Sequence, residues 1–213
     1  MYYLFIIYTI SYILLFDKNR KYWDSFTRII STLNSLQCFY MVYYEIFLAS
    51  PNSTGMIDLN YLGSEYSLNV LFEFSYYLFV DGLFQIPDLR EKFSLSIILS
   101  MMHHFVGGLG IYMIADSKMG FFLGCYFAMT EISTPFLNLS WFIREKILFR
   151  IFYIFFFLSR IVTIPFLLEY LELNREKIMA LSGSQIFMSF YGSHALISLN
   201  LIWFVFMTKK MIS

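Results

Sequence analysis

Charge is the first thing this sequence is short of. Its 213 residues hold 15 Lys and Arg against 15 Asp and Glu, 14% charged in all, where a soluble domain carries about a quarter. The charges cancel and are dispersed. No acidic or basic tail, zinc knuckle, basic helix or stacking motif is present, so nothing points to nucleic acid as a partner. Cysteine is limited to Cys38 and Cys125, both inside apolar stretches. That favours buried free thiols over a disulfide framework. The sequence also lacks G-x-S-x-G, a P-loop, G-x-G-x-x-G and C-x-x-C, so none of the common signatures of soluble catalysis is available. No linker is long enough to separate two soluble domains, and no short-period repeat occurs.

What the sequence has instead is apolar surface. It is 59% hydrophobic and 22% aromatic, with 26 Phe and 17 Tyr. A helix needs about 20 mostly apolar residues to cross the hydrocarbon of a bilayer. One short candidate, 2–16, and six fuller ones, 28–49, 66–86, 93–115, 119–140, 146–170 and 185–207, meet or approach that length. The expected fold is therefore an all-α integral membrane protein with about seven transmembrane helices. The start of the chain has no basic region and no small-residue cleavage site, and reads as the beginning of the first span rather than a removed signal. The segment 28–49 is the most polar, with Ser31, Thr32, Asn34, Ser35, Gln37 and Glu45. Such a helix should turn its polar side to protein rather than lipid.

Counting Lys and Arg in alternate connections puts 11 on one side, including Lys18, Arg28, Arg90, Arg144, Lys146, Arg150 and Lys209, and 3 on the other (Lys118, Arg175, Lys177). This positive-inside excess places the C-terminus on the cytoplasmic or matrix side. The sequon Asn52-Ser53-Thr54 then falls on the opposite face, where Asn52 is a glycosylation candidate. Asn138-Leu139-Ser140 has the same form but sits at a cytoplasmic span end.

Several ionisable residues lie at membrane depth, where an unpaired charge costs several kcal/mol. Converting position to depth with a helical rise of about 1.5 Å per residue puts His103 and His104 roughly 15 Å and Glu131 roughly 14 Å from the cytoplasmic surface. Glu73, Arg160 and His194 lie roughly 20 Å in, and Asp81 roughly 8 Å. Adjacent histidines on a helix point about 100° apart, so one imidazole can face a cavity while the other bonds a neighbouring helix. The same splay disfavours a metal site, and none is expected. Gly107 and Gly108 follow four residues on, leaving room for a ligand or a close helix. Pro135 follows Glu131 by four residues and should free the Glu131 carbonyl and kink the helix. Arg160 reads as the counter-charge of Glu73 or Glu131, or as a clamp for an anionic headgroup. Gly120-x-x-x-Gly124 has the form of a helix-packing motif.

Four segments resemble the TLC domain, the membrane domain shared by ceramide synthases and translocating-chain-associated proteins. They are Ser75-Tyr76-Tyr77 with Asp81; Lys92 with Met102-His103-His104; Glu131-Ile132-Ser133-Thr134-Pro135-Phe136-Leu137-Asn138 with Trp141; and Phe157 with Arg160 and Pro165. The resemblance covers residues 22–208. It sets off an N-terminal segment with its basic loop (1–21) and a short tail (209–213). It implies a six-helix core around a lipid-sized cavity, usually with an extra N-terminal span, and in ceramide synthases the paired histidines, here His103 and His104, serve acyl transfer. The helix after the pair departs from the synthase pattern. It carries Glu131-x-Ser133-x-Pro135-Phe136-x-Asn138 in place of the synthases' aspartates and resembles the non-synthase branch.

The leading expectation is a protein that binds or handles membrane lipid in an intramembrane cavity, without established catalysis and without a cofactor. His103, His104, Glu131, Arg160, Glu73, His194, Asp81 and Asn138 are the candidate lipid-binding residues. Two other readings stand beside it. The chain could be a structural subunit of a larger membrane complex, such as a mitochondrial respiratory assembly, with the Phe- and Tyr-rich exterior packed on other subunits. It could instead be an acyltransferase with acyl-CoA as co-substrate, His103 or His104 acting as base and Glu131 orienting it. The endoplasmic reticulum fits the resemblance and the sequon; the mitochondrial inner membrane is the alternative.

Overall fold

Residues 6, 10, 20–49, 63–86, 93–117 and 120–212 are described by the computed structural model, and every regular element among them is helical. The elements run as rods. α1 (Arg20–Tyr44) ends in a π-helical turn, Glu45–Ala49; α2 is Glu65–Phe84 and α3 is Leu95–Ser117. α4 (Phe121–Thr130) passes through a 3-10 turn, Glu131–Ser133, into α5 (Thr134–Ile143). α6 (Lys146–Phe156) passes through a π turn, Phe157–Ile161, towards α7 (Ile164–Leu173), and the short α8 (Arg175–Met179) follows. The last rod joins α9 (Gly183–Ile186), a π turn (Phe187–Gly192) and α10 (Ser193–Ile212).

These rods fall on the six fuller segments expected from hydropathy. Three stretches, Leu95–Ser117, Lys146–Leu173 and Gly183–Ile212, are long and apolar enough to cross a membrane, with mean hydropathy 1.6, 2.1 and 1.5. The chain is an all-α integral membrane protein. The short candidate 2–16 lies outside the described residues except for Ile6 and Ile10, which are helical and exposed. Asn52 also lies outside them.

Side-chain bonds fix the up-and-down order. At one end, Glu45 accepts from the backbone and hydroxyl of Ser64 and from the Ser67 hydroxyl, at 3.1, 2.8 and 2.6 Å, tying the end of α1 to the start of α2. At the other end Arg28 of α1 meets Asn138 of α5, and Tyr153 of α6 meets Thr208 of α10 at 2.9 Å. α1 is two-faced, as its composition required. Asn34, Ser35 and Glu45 are buried, while Ile29, Leu33, Leu36, Phe39, Tyr40, Tyr43 and Phe47 are exposed at helical spacing. The exposed stripe is what a lipid-facing surface looks like.

Glycines set how closely the rods approach. A Cβ on Gly108 would lie 3.2 Å from the Ser75 carbonyl oxygen, and one on Gly82 would lie 3.2 Å from the His104 Cβ. The room expected beside the imidazoles is thus taken by α2 closing on α3. The Gly120-x-x-x-Gly124 pair divides its duties. Gly124 packs, since a Cβ there would come within 2.6 Å of Leu71, but Gly120 caps α4 at φ 69°, a left-handed position that suits glycine. Pro135 does not leave the Glu131 carbonyl free, although its position suggested that it would. The rod tightens to a 3-10 turn, and the Glu131 carbonyl accepts the Thr134 N–H instead of being freed.

Candidate functional site

The rods part around a half-open cleft of about 390 Å³, towards the small end of the range for small-molecule sites. Its walls come from α1, α2, α3, the 3-10 turn, α5, α6, the π turn after it and α10. Leu78, Phe84, Leu137, Phe152, Trp203 and Met207 supply apolar lining, interleaved with charged and hydroxyl side chains.

At the inner end, the 3-10 turn aims Glu131 into the bundle. Its Oε1 lies 3.0 Å from Arg160 Nη2 and 4.0 Å from His103 Nε2, and its Oε2 accepts the Thr134 hydroxyl at 2.7 Å. The π turn of Phe157–Ile161 carries Arg160, so the extra residue in that turn presents the guanidinium to the cleft. Arg160 also donates from Nε to the Thr130 carbonyl (3.0 Å) and from Nη1 to Asn200 Oδ1 (3.1 Å), and lies over the Phe156 ring. The counter-charge of Arg160 is therefore Glu131 and not Glu73.

Beside this pair, His104 Nδ1 stands 3.0 Å from Asp81 Oδ2. The approach is close but off the ring's donor direction, a polar contact rather than an aligned hydrogen bond. Gln85 donates to the same carboxylate oxygen at 3.2 Å. The two imidazoles sit 5.7 Å apart with planes at 68°, and both line the cleft.

At the outer end, Arg28 Nη1 donates to Asn138 Oδ1 at 3.3 Å, and the Asn138 amide donates to the Arg28 carbonyl and the Thr32 hydroxyl, each at 3.0 Å. The Arg28 guanidinium stacks over Trp141 at 4.5 Å.

Of the residues expected to form a site, His103, His104, Glu131, Arg160, Asp81 and Asn138 come together around the cleft. Glu73 does not join them; its Oε2 accepts Gln37 at 2.8 Å on another part of α2. His194 is exposed on α10, with Nδ1 2.7 Å from the Phe190 carbonyl and its ring against Phe190. The cleft adds residues that depth alone did not single out: Asp24, Arg28, Ser31, Tyr77 and Ser100. Asp24, Arg28 and Ser31 share one face of α1 at helical spacing, a signal that was available. In sequence, Arg28 reads as a topology charge.

The arrangement offers two imidazoles, each beside a carboxylate, and a neutralised Glu–Arg pair behind them, in a space with apolar walls. That suits an amphiphile better than a free ion. In comparisons with known proteins, the model of the TLC domain, a membrane domain, matches residues 1–209. No curated protein and no solved structure gives a significant match.

Proposed function

The chain belongs to the TLC domain family, and from that premise we propose that it binds a membrane lipid in the cleft, with the polar part of the lipid against His103, His104 and Glu131. The family supports a lipid-related role in a membrane. The observation that carries the finer reading is the pairing of buried, hydrogen-bonding groups with apolar walls in one half-open space. In hydrocarbon, polar groups need partners inside the protein or from a ligand. Glu131 and Arg160 satisfy one another, leaving the imidazoles to meet a lipid's ester, amide or hydroxyl groups. On the topology read from its charges, the cleft opens towards the cytoplasmic side of an endoplasmic reticulum membrane, or the matrix side of a mitochondrial one.

The test is mass spectrometry of lipid retained by protein extracted gently from its own membrane. Wild type should hold a lipid at near-stoichiometric occupancy, and His103→Ala with His104→Ala should lower it by about tenfold, equivalent to about 1.4 kcal/mol. A folded wild type that carries no lipid sinks the reading.

One observation favours a second reading, acyl transfer. His104 stands 3.0 Å from Asp81 and His103 4.0 Å from Glu131, each an imidazole with a carboxylate near enough to orient it as a base once substrate binds. One imidazole would take the proton of a lipid amine or hydroxyl as that group attacks the carbonyl of acyl-CoA, and the coenzyme thiol would leave carrying a proton. Incorporation of labelled acyl groups that disappears in His104→Ala supports it; turnover unchanged by either histidine substitution rules it out.

A further inference from the structure

The outer end of the cleft holds a cation that the protein itself leaves incomplete. Among the described residues Arg28 has one side-chain hydrogen bond, from Nη1 to Asn138, and its Nε is buried with no partner. Nε and Nη2 form the edge of the guanidinium that grips an oxyanion through two parallel bonds. Neither atom of that edge has a hydrogen-bond partner among the described residues, while Trp141 beneath the plane and Asn138 on the other corner hold the group still. The contrast with Arg160, whose three nitrogens are all engaged, shows that this fold can saturate an arginine where it does so for structure. A buried donor without a partner calls for an explanation; Asn34 and Ser159 also have such atoms, but Arg28 is the arginine among them and lines the cleft, where a ligand could supply the partner.

The charges around Arg28 narrow the choice. Asp24, one turn earlier on α1, and Asp81 from α2 line the same space and act electrostatically on Arg28. Among the described residues, no ion pair joins Asp24 to it. Among the described residues the Asp24 carboxylate accepts no hydrogen bond, while its main-chain oxygen accepts the Thr27 hydroxyl. Residues four apart on a helix stand about 5–6 Å apart at Cβ. An unbonded guanidinium edge and an unbonded carboxylate at that spacing match a ligand with a negative and a positive group joined by a short bridge. A dianion would meet the two carboxylates. A neutral lipid would leave Arg28 unanswered.

We infer that the outer end of the cleft is a headgroup subsite for a zwitterionic phospholipid, in which Arg28 takes the phosphodiester through Nε and Nη2 and Asp24, with Asp81 behind it, takes the ammonium across the ethylene bridge. This rests on the lipid-binding reading and adds to it the chemistry of the head. Asn138 and Trp141 are positioning residues for Arg28.

The experiment uses the full chain, reconstituted with equal amounts of phosphatidylethanolamine, phosphatidylglycerol and diacylglycerol of identical chains, and native mass spectrometry of what it retains. Phosphatidylethanolamine should exceed diacylglycerol and phosphatidylglycerol by about tenfold. Arg28→Gln should bring it down to the diacylglycerol level, and Asp24→Asn should abolish the preference over phosphatidylglycerol. Excess inorganic phosphate should leave the lipid in place. Equal retention of diacylglycerol, a preference for phosphatidylglycerol, full displacement by inorganic phosphate, or an Arg28→Gln protein that selects as wild type does would each overturn the subsite. The wild-type panel decides even if Arg28→Gln fails to fold. Retention of no lipid at all would count against the lipid-binding reading itself, a different result from retention without headgroup selection.

Discussion

The cleft carries an arginine at each end, and the two are held differently. Arg160, on a π turn at the inner end, has a carboxylate, a main-chain carbonyl and an amide within 3.1 Å. Arg28, on a regular helix at the outer end, has one amide and an aromatic face. Both sit on helices with a lipid-facing side. The saturated one ties three rods together (α4 through Thr130 and Glu131, its own, and α10 through Asn200). The unsaturated one is braced on α5 and offers its free edge to the cleft. In an environment where each unmet polar group is expensive, the full pairing of Arg160 fits a framework role, and the unpaired edge of Arg28 at the cleft fits a place for a ligand.

Removing the carboxylate of the inner pair should have the largest effect on the fold. Glu131→Ala strands a buried guanidinium, a loss of about 3–5 kcal/mol, which for a chain of this size lowers the Tm by roughly 10 °C. Thermal unfolding in detergent reads this, and Arg160→Met added to Glu131→Ala should recover much of it. A single variant as stable as wild type would dissolve the contrast between the two ends. Asn200→Ala, which removes one bond to a charged group, should cost about 2 kcal/mol in the same assay. Arg28→Gln should cost no more than about 1 kcal/mol of stability, because its single hydrogen bond is long, while reducing lipid retention sharply. Equal losses of stability at Arg28 and Arg160 would mean that both arginines are framework. His194→Ala, exposed and bonded only to its own helix, should stay within about 0.5 kcal/mol of wild type and leave lipid retention unchanged.

Much of this was legible in the chain because the bilayer imposes a strong rule: long apolar runs must be helices, and their polar residues must face inward. The six rods, the two-faced α1 and the meeting of His103, Glu131 and Arg160 follow from that rule and from depth. Depth along a helix does not report direction around it. Glu73 and His194 lie at the right level but point elsewhere, Glu73 to Gln37 and His194 to the outside. The choice between Glu73 and Glu131 as the partner of Arg160 needed the π turn, which shifts the face on which Arg160 emerges and leaves no mark in hydropathy. Arg28 was hidden by its nearness to a loop, where a positive charge is already explained by topology. Gly120 was hidden because a left-handed cap and a packing glycine look alike in sequence.

The account stands or falls on whether a lipid occupies the cleft, and photo-crosslinking tests that most directly. A phosphatidylethanolamine with a photoreactive group near its ester linkage, activated in membranes holding the full chain, would be mapped by peptide mass spectrometry. The account predicts adducts concentrated on cleft-lining residues such as Leu78, Phe84 and Trp203, lost in His103→Ala with Arg28→Gln. Adducts spread only over the outer stripe at Leu33, Phe39 and Phe47, unchanged in that variant, would contradict it.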